Sequence, residues 1–108
     1  MKYDVRLSAA AKEDILRNAD YIELVLKNPS AAGHFLNETE EKLRSLSEFP
    51  ERSPLVRDKL LASWGIRFLP VMNYMVFYQV MAEQKTVYVV RVLHGKSNWS
   101  AILFSDSQ

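Results

Sequence analysis

Hydrophobic positions along the chain recur first every second residue, then every third or fourth, then every second again. Tyr3, Val5 and Leu7 alternate with Lys2, Asp4 and Arg6, the period of a half-buried strand. Ser8 then offers an N-cap oxygen, and three alanines follow it. Ala11, Ile15, Ala19, Ile22 and Leu26 mark one face of a helix of about five turns, with Lys12, Glu13, Arg17 and Asp20 off that face. Asn28 and Pro29 break it, and Pro29 suits the first turn of a second helix. That helix turns Ala32, Phe35, Leu36, Thr39, Leu43 and Leu46 inward and Glu38, Glu41, Lys42 and Glu48 outward, and it stops at Phe49 and Pro50. So short a break predicts an antiparallel helical hairpin.

Residues 50–64 mix prolines and basic residues with Leu55, Leu60, Leu61 and Trp64, which predicts a long loop with a short helical turn near 58–62. After Gly65 the period returns to two: Ile66 and Phe68, then Tyr74, Val76, Tyr78 and Val80, then Val87, Val89, Arg91 and Leu93. The polar connection 82–86 joins the last two strands as a hairpin, and the nearly unbroken apolar run 87–93 fits a strand covered on both faces. The order strand, helix, helix, three strands predicts one α+β domain over 1–108. Its helices gather on one face of a mostly antiparallel sheet that the first strand joins, and residues 104–108 form a short C-terminal tail.

Composition narrows the chemistry. With 48% hydrophobic and 25% charged residues the chain has the make-up of a globular domain, and no apolar run approaches the roughly 18 residues of a membrane span. The start of the chain lacks the apolar segment of a secretory signal, so a cytoplasmic location is expected. There is no cysteine, and two isolated histidines make a poor metal set, so neither metal nor cofactor is expected. Gly-rich phosphate loops, G-x-S-x-G elbows and H-E-x-x-H motifs are absent from the sequence. Glu38, Glu40 and Glu41 sit mostly on an outward helix face and read as solvated surface.

Net charge is +1, unevenly spread: residues 1–48 hold seven Lys/Arg against nine Asp/Glu, and residues 49–108 hold seven against four. The second half is the better candidate for an anionic partner. Tyr74, Phe77, Tyr78 and Tyr88 could stack bases but read first as sheet packing. Arg67 and Arg91 lie within apolar strands, where each must emerge on an open sheet face or find a partner. His94 and Lys96 follow the last strand: they offer a proton shuttle and a phosphate-neutralising charge, or only a capped strand end in which His94 bonds backbone.

The whole pattern resembles the RelE/ParE superfamily of toxins from bacterial type II toxin–antitoxin modules. The matching pieces are the run from Leu7 to Ile15 that opens the first helix, Tyr21-Ile22, Asn28-Pro29-Ser30, Leu43 and Leu46, and Phe49-Pro50. They continue with Gly65-Ile66-Arg67, Asn73-Tyr74-Met75-Val76-Phe77-Tyr78, and Val90-Arg91-Val92-Leu93-His94-Gly95-Lys96. The resemblance implies a curled sheet beside the helical hairpin, growth inhibition of the kind that stabilises plasmids, and a cognate antitoxin whose C-terminal segment wraps the toxin. RelE-like members cut mRNA on the ribosome with basic residues near the last strand; ParE-like members poison DNA gyrase and need no catalytic set. Arg67, Arg91, His94 and Lys96 are the candidate catalytic residues if the chain is a nuclease. RelE-like nucleases usually carry Arg where Met75 and Ser97 stand here, and these two departures favour a ParE-like gyrase inhibitor over a RelE-like nuclease or a degenerate, non-toxic member.

Overall fold

A computed structural model of the protein describes residues 2–108. Strand β1 (Asp4–Leu7) leads into helix α1 (Ala9–Asp20), whose N-terminus is capped as expected: Ser8 Oγ accepts from the Ala11 N–H at 2.9 Å. One wide π-turn, Tyr21–Val25, ends that helix, with the Leu26 N–H bonding back to Tyr21 and Lys27 in the left-handed region. The widened turn rotates the chain out of the helical stripe. Ile22 stays in the core, but Leu26, expected inside, is 57% exposed. Asn28 then caps α2 (Pro29–Ser45) by accepting from the Ala31 N–H, with Pro29 in the first turn. Ala32, Phe35 and Thr39 of α2 and Leu46 just beyond it are buried; Leu36, expected inward, is exposed.

The loop from residue 46 is organised by Arg52, whose guanidinium donates to the carbonyls of Ser45, Glu48 and Phe49 and so satisfies the open C-terminal end of α2. Helix α3 (Lys59–Ser63) is the predicted short turn, capped by Asp58. Strands β2 (Arg67–Val71), β3 (Tyr74–Met81) and β4 (Thr86–His94) follow. The short tail expected after β4 is present, and residues 104–106 of it belong to a helix, α4 (Trp99–Asp106).

The sheet order is β1-β4-β3-β2, with β1 parallel to β4 and the other pairs antiparallel. The sheet is covered on both faces. Helices α1 and α2 bury Ala11, Phe35 and Leu46 against Val76, Tyr78 and Val89; on the far side α3, α4 and the loop before β2 bury Leu61, Leu103 and Val56 against Phe77 and Leu93. The helices are thus not confined to one face, because Leu103 and its neighbours Trp99 and Ile102 give the second face an apolar cover of its own. A register shift at Phe77/Tyr78 lets β4 place one extra residue there and bends it.

Helix α1 also finishes the sheet edge. Beyond Val89 strand β4 has no neighbour on the β1 side, and α1 supplies side chains in place of one. Ser8 Oγ donates to the Val90 carbonyl, Asp14 accepts from the Val92 N–H, and Asn18 donates to the Val92 carbonyl at 3.0 Å. Asp14 and Asn18 lie one helical turn apart and so reach the same residue. No helix among the described residues is long and apolar enough to cross a membrane.

Candidate functional site

The four basic candidates occupy different surroundings. Arg67 opens β2, and its guanidinium turns back to the loop, donating to the carbonyl of Ser53 at 2.6 Å and of Glu51 at 3.2 Å. Arg91 reaches around the β4 edge. Its Nε and Nη2 donate to the two oxygens of Asp14 at 2.7 and 2.9 Å, and its Nη1 to Asp106 of α4 at 3.1 Å. Asp14 is 2% exposed and Arg91 14%, so this is a nearly buried, bidentate pair with a second carboxylate at its rim. The Asp14 hydrogen bonds hold the guanidinium charged against the opposing effect of burial. An Arg in an apolar strand must find a partner, and Arg91 has two.

His94 ends β4 on the face covered by α1 and α2: its ring meets Tyr74 edge-on at 5.2 Å, and Tyr74 in turn packs on Phe35. Its Nδ1 accepts from the Lys96 N–H, and its carbonyl accepts from the backbone and hydroxyl of Ser97. The imidazole therefore caps the turn that reverses the chain into α4. Lys96 is exposed. No hydrogen bond or ion pair joins the side chains of any two of these four residues.

On the opposite face Met75 helps to line a slot of about 260 Å³, together with Val56, Arg57, Phe68, Gly95 and Trp99. Met75 pairs in register with Leu93, one residue before His94, so the alternation of side chains puts the slot and the imidazole on opposite faces of the sheet. Trp99 is held there by its ring contact with Phe77 at 5.2 Å. Among the described residues no group of three or more His, Cys, Asp or Glu side chains is placed to hold a metal.

Sequence reasoning did not single out Asp14, Asp106, Arg57 or Phe68. Asp14 carried a readable signal: it falls on the inward stripe of α1, three residues after Ala11, where a carboxylate demands a cation. The slot carried none, since tertiary approach alone gathers its six residues.

The comparisons agree with this architecture. The model of the ParE toxin of type II toxin–antitoxin system, parDE, matches residues 5–99. No curated protein sequence matches the chain. Among solved structures, the chromosomal ParDE toxin–antitoxin system of P. aeruginosa aligns at a TM-score of 0.66 and 16% identity, covering 86% of this chain and 96% of that one. A free-state mutant of the E. coli toxin RelE aligns at 0.64 and 15% identity over 94% and 93% of the two chains. A RelBE toxin–antitoxin complex of Mycobacterium tuberculosis aligns at 0.58 and 24% identity over 87% and 92%. At these identities the likenesses concern the fold, which ParE and RelE proteins share. With its fold matched throughout and 95 of its residues, 5–99, fitted by the family model, the chain belongs to the ParE toxin family within the RelE/ParE superfamily of type II toxin–antitoxin toxins.

Proposed function

We propose that this toxin acts by binding DNA gyrase in the ParE manner, and that a cognate antitoxin neutralises it. The observation that carries the reading is the commitment of Arg67, Arg91 and His94 to the fold, which leaves Lys96 as the one candidate with an unengaged side chain among the described residues. Phosphodiester cleavage needs a group to take the 2′-hydroxyl proton, positive charge at the phosphorane and a proton for the leaving oxygen, all converging on one phosphate. Here the Arg91 charge is met by two carboxylates, Arg67 holds loop carbonyls, and the His94 Nδ1 holds the Lys96 N–H. The place where a further Arg would serve such chemistry is Met75, beside an apolar slot. A binding inhibitor needs none of these groups free.

The antitoxin part of the reading is supported by apolar surface on the helical hairpin, where Leu16, Leu24, Val25 and Leu26 are all more than half exposed. P. aeruginosa ParDE and E. coli RelBE are themselves toxin–antitoxin assemblies of this fold. An amphipathic segment laid along that surface is the expected mode.

The test is a supercoiling and cleavage-complex assay with purified gyrase, run beside primer extension on mRNA from induced cells. Inhibition of supercoiling with intact transcripts is the expected result. Cleavage within codons and an unaffected gyrase would instead establish a RelE-like nuclease, with His94, Lys96, Arg67 and Arg91 as the residues to substitute.

A further inference from the structure

We infer that the slot beside Met75 is a docking site for an acidic peptide segment of a partner protein, one apolar side chain entering the slot and flanking carboxylates meeting Arg57 and Lys96. The inference rests on the reading of the chain as a binding inhibitor and names the chemistry by which this site recognises protein.

Size and lining come first. About 260 Å³, walled by Val56, Phe68, Met75 and Trp99, matches one large apolar side chain and lies just below the ~300 Å³ at which small-molecule pockets begin. Gly95 keeps the slot open. Its backbone is outside the positive-φ region, and a Cβ there would meet Asn73 O at 3.4 Å and Met75 Sδ at 3.7 Å, ordinary contact distances. Neither backbone geometry nor a clash therefore requires glycine at 95; what its missing side chain leaves is space.

Charge selects the occupant. Arg57 lines the slot and Lys96 directly follows Gly95; both are exposed, and neither forms an ion pair among the described residues. No carboxylate lines the slot, and the neighbouring Asp58 is committed to α3, where its Oδ1 accepts from the Leu61 N–H at 3.0 Å. Two unpaired cations beside an apolar recess complement an apolar anchor between carboxylates. A nucleobase fits less well. Its edges need polar partners, of which the slot's side chains offer only Arg57, and Trp99 already packs on Phe77.

The test uses Trp99 as reporter. The chain has two tryptophans, so Trp64→Phe leaves one signal at the slot. The intact W64F protein is titrated with the capped pentapeptide Asp-Glu-Phe-Glu-Asp, with versions carrying Ala for Phe or Lys for every acid, and with an oligouridylate pentamer. A saturable change in Trp99 emission with the first peptide is expected, weakened about tenfold or more in the other two, in Arg57→Glu and in Gly95→Val. Thermal melts of each variant confirm that the fold is intact, and Arg57→Lys restores binding lost in Arg57→Glu. Silence at millimolar peptide, or equal binding of the Lys version, overturns the inference while leaving gyrase inhibition standing. Preferential binding of the oligouridylate overturns both. Peptide binding by a protein inert toward gyrase keeps the slot and removes the gyrase reading.

Discussion

At the scale of single residues, Asp14 and Arg91 show how a charge survives inside a small core. Asp14, 2% exposed, accepts from two nitrogens of Arg91 and from the Val92 N–H, so its oxygens exchange water for three donors. Replacing Arg91 by Leu leaves that buried carboxylate only the Val92 N–H and the exposed Arg17 guanidinium 3.5 Å away, and is expected to cost about 3–5 kcal/mol, measured by urea denaturation. Tyr78 is fully buried, and its hydroxyl donates to the Pro50 carbonyl at 2.6 Å. Burial pushes its phenol above the ordinary value of 10.0, against smaller downward effects of Ser53, Arg67 and Arg52. The folded value being the higher one, its contribution is complete below pH 10.0 and is lost as pH rises through the folded value. Tyr78→Phe is accordingly expected to cost about 1 kcal/mol at neutral pH and to flatten the alkaline fall in stability, read from denaturation midpoints between pH 8 and about 11.

At the scale of elements, the polar face of α1 takes the place of a strand, and its parts can be removed singly. Asn18→Leu leaves the Val92 carbonyl without its donor and is expected to cost about 1–3 kcal/mol, with faster hydrogen exchange confined to the end of β4. The periods of the sequence made α1, α2 and the three late strands legible, because each has one face in water and one in the core. Helix α4 was harder to read. Trp99, Ile102, Leu103 and Phe104 follow no single stripe, and the helix is fixed instead by its seat on Phe77 and Leu93 and by Asp106 on Arg91. The union of Asp14 with Arg91, 77 positions away, could be read only as a need for some partner. The basic residues near the last strand were legible as residue types, but their engagements depend on loop carbonyls and turns that no local pattern specifies.

At the scale of the whole molecule, two surfaces stand apart: the exposed leucines of the helical hairpin, and the slot with its flanking cations on the other face of the sheet. Separate surfaces allow separate partners, and the hairpin is where an isolated chain should fail. Expressed alone, the protein is expected to aggregate, and co-expression with its antitoxin to recover it in the soluble fraction by gel filtration. Substituting Leu24 and Leu26 together by Lys should raise the solubility of the lone chain and weaken the antitoxin complex in the same preparation.

The last strand is the one to which both N-terminal elements are tied, β1 by parallel pairing and α1 through Ser8, Asp14 and Asn18. During synthesis the helical hairpin leaves the ribosome well before β4 does, and until residue 92 is available the polar face of α1 has no sheet edge to finish. Folding then joins segments more than seventy residues apart, a long-range closure that local helix formation cannot supply. Until β4 is made, the surfaces that this fold presents to partners are accordingly expected to be unformed.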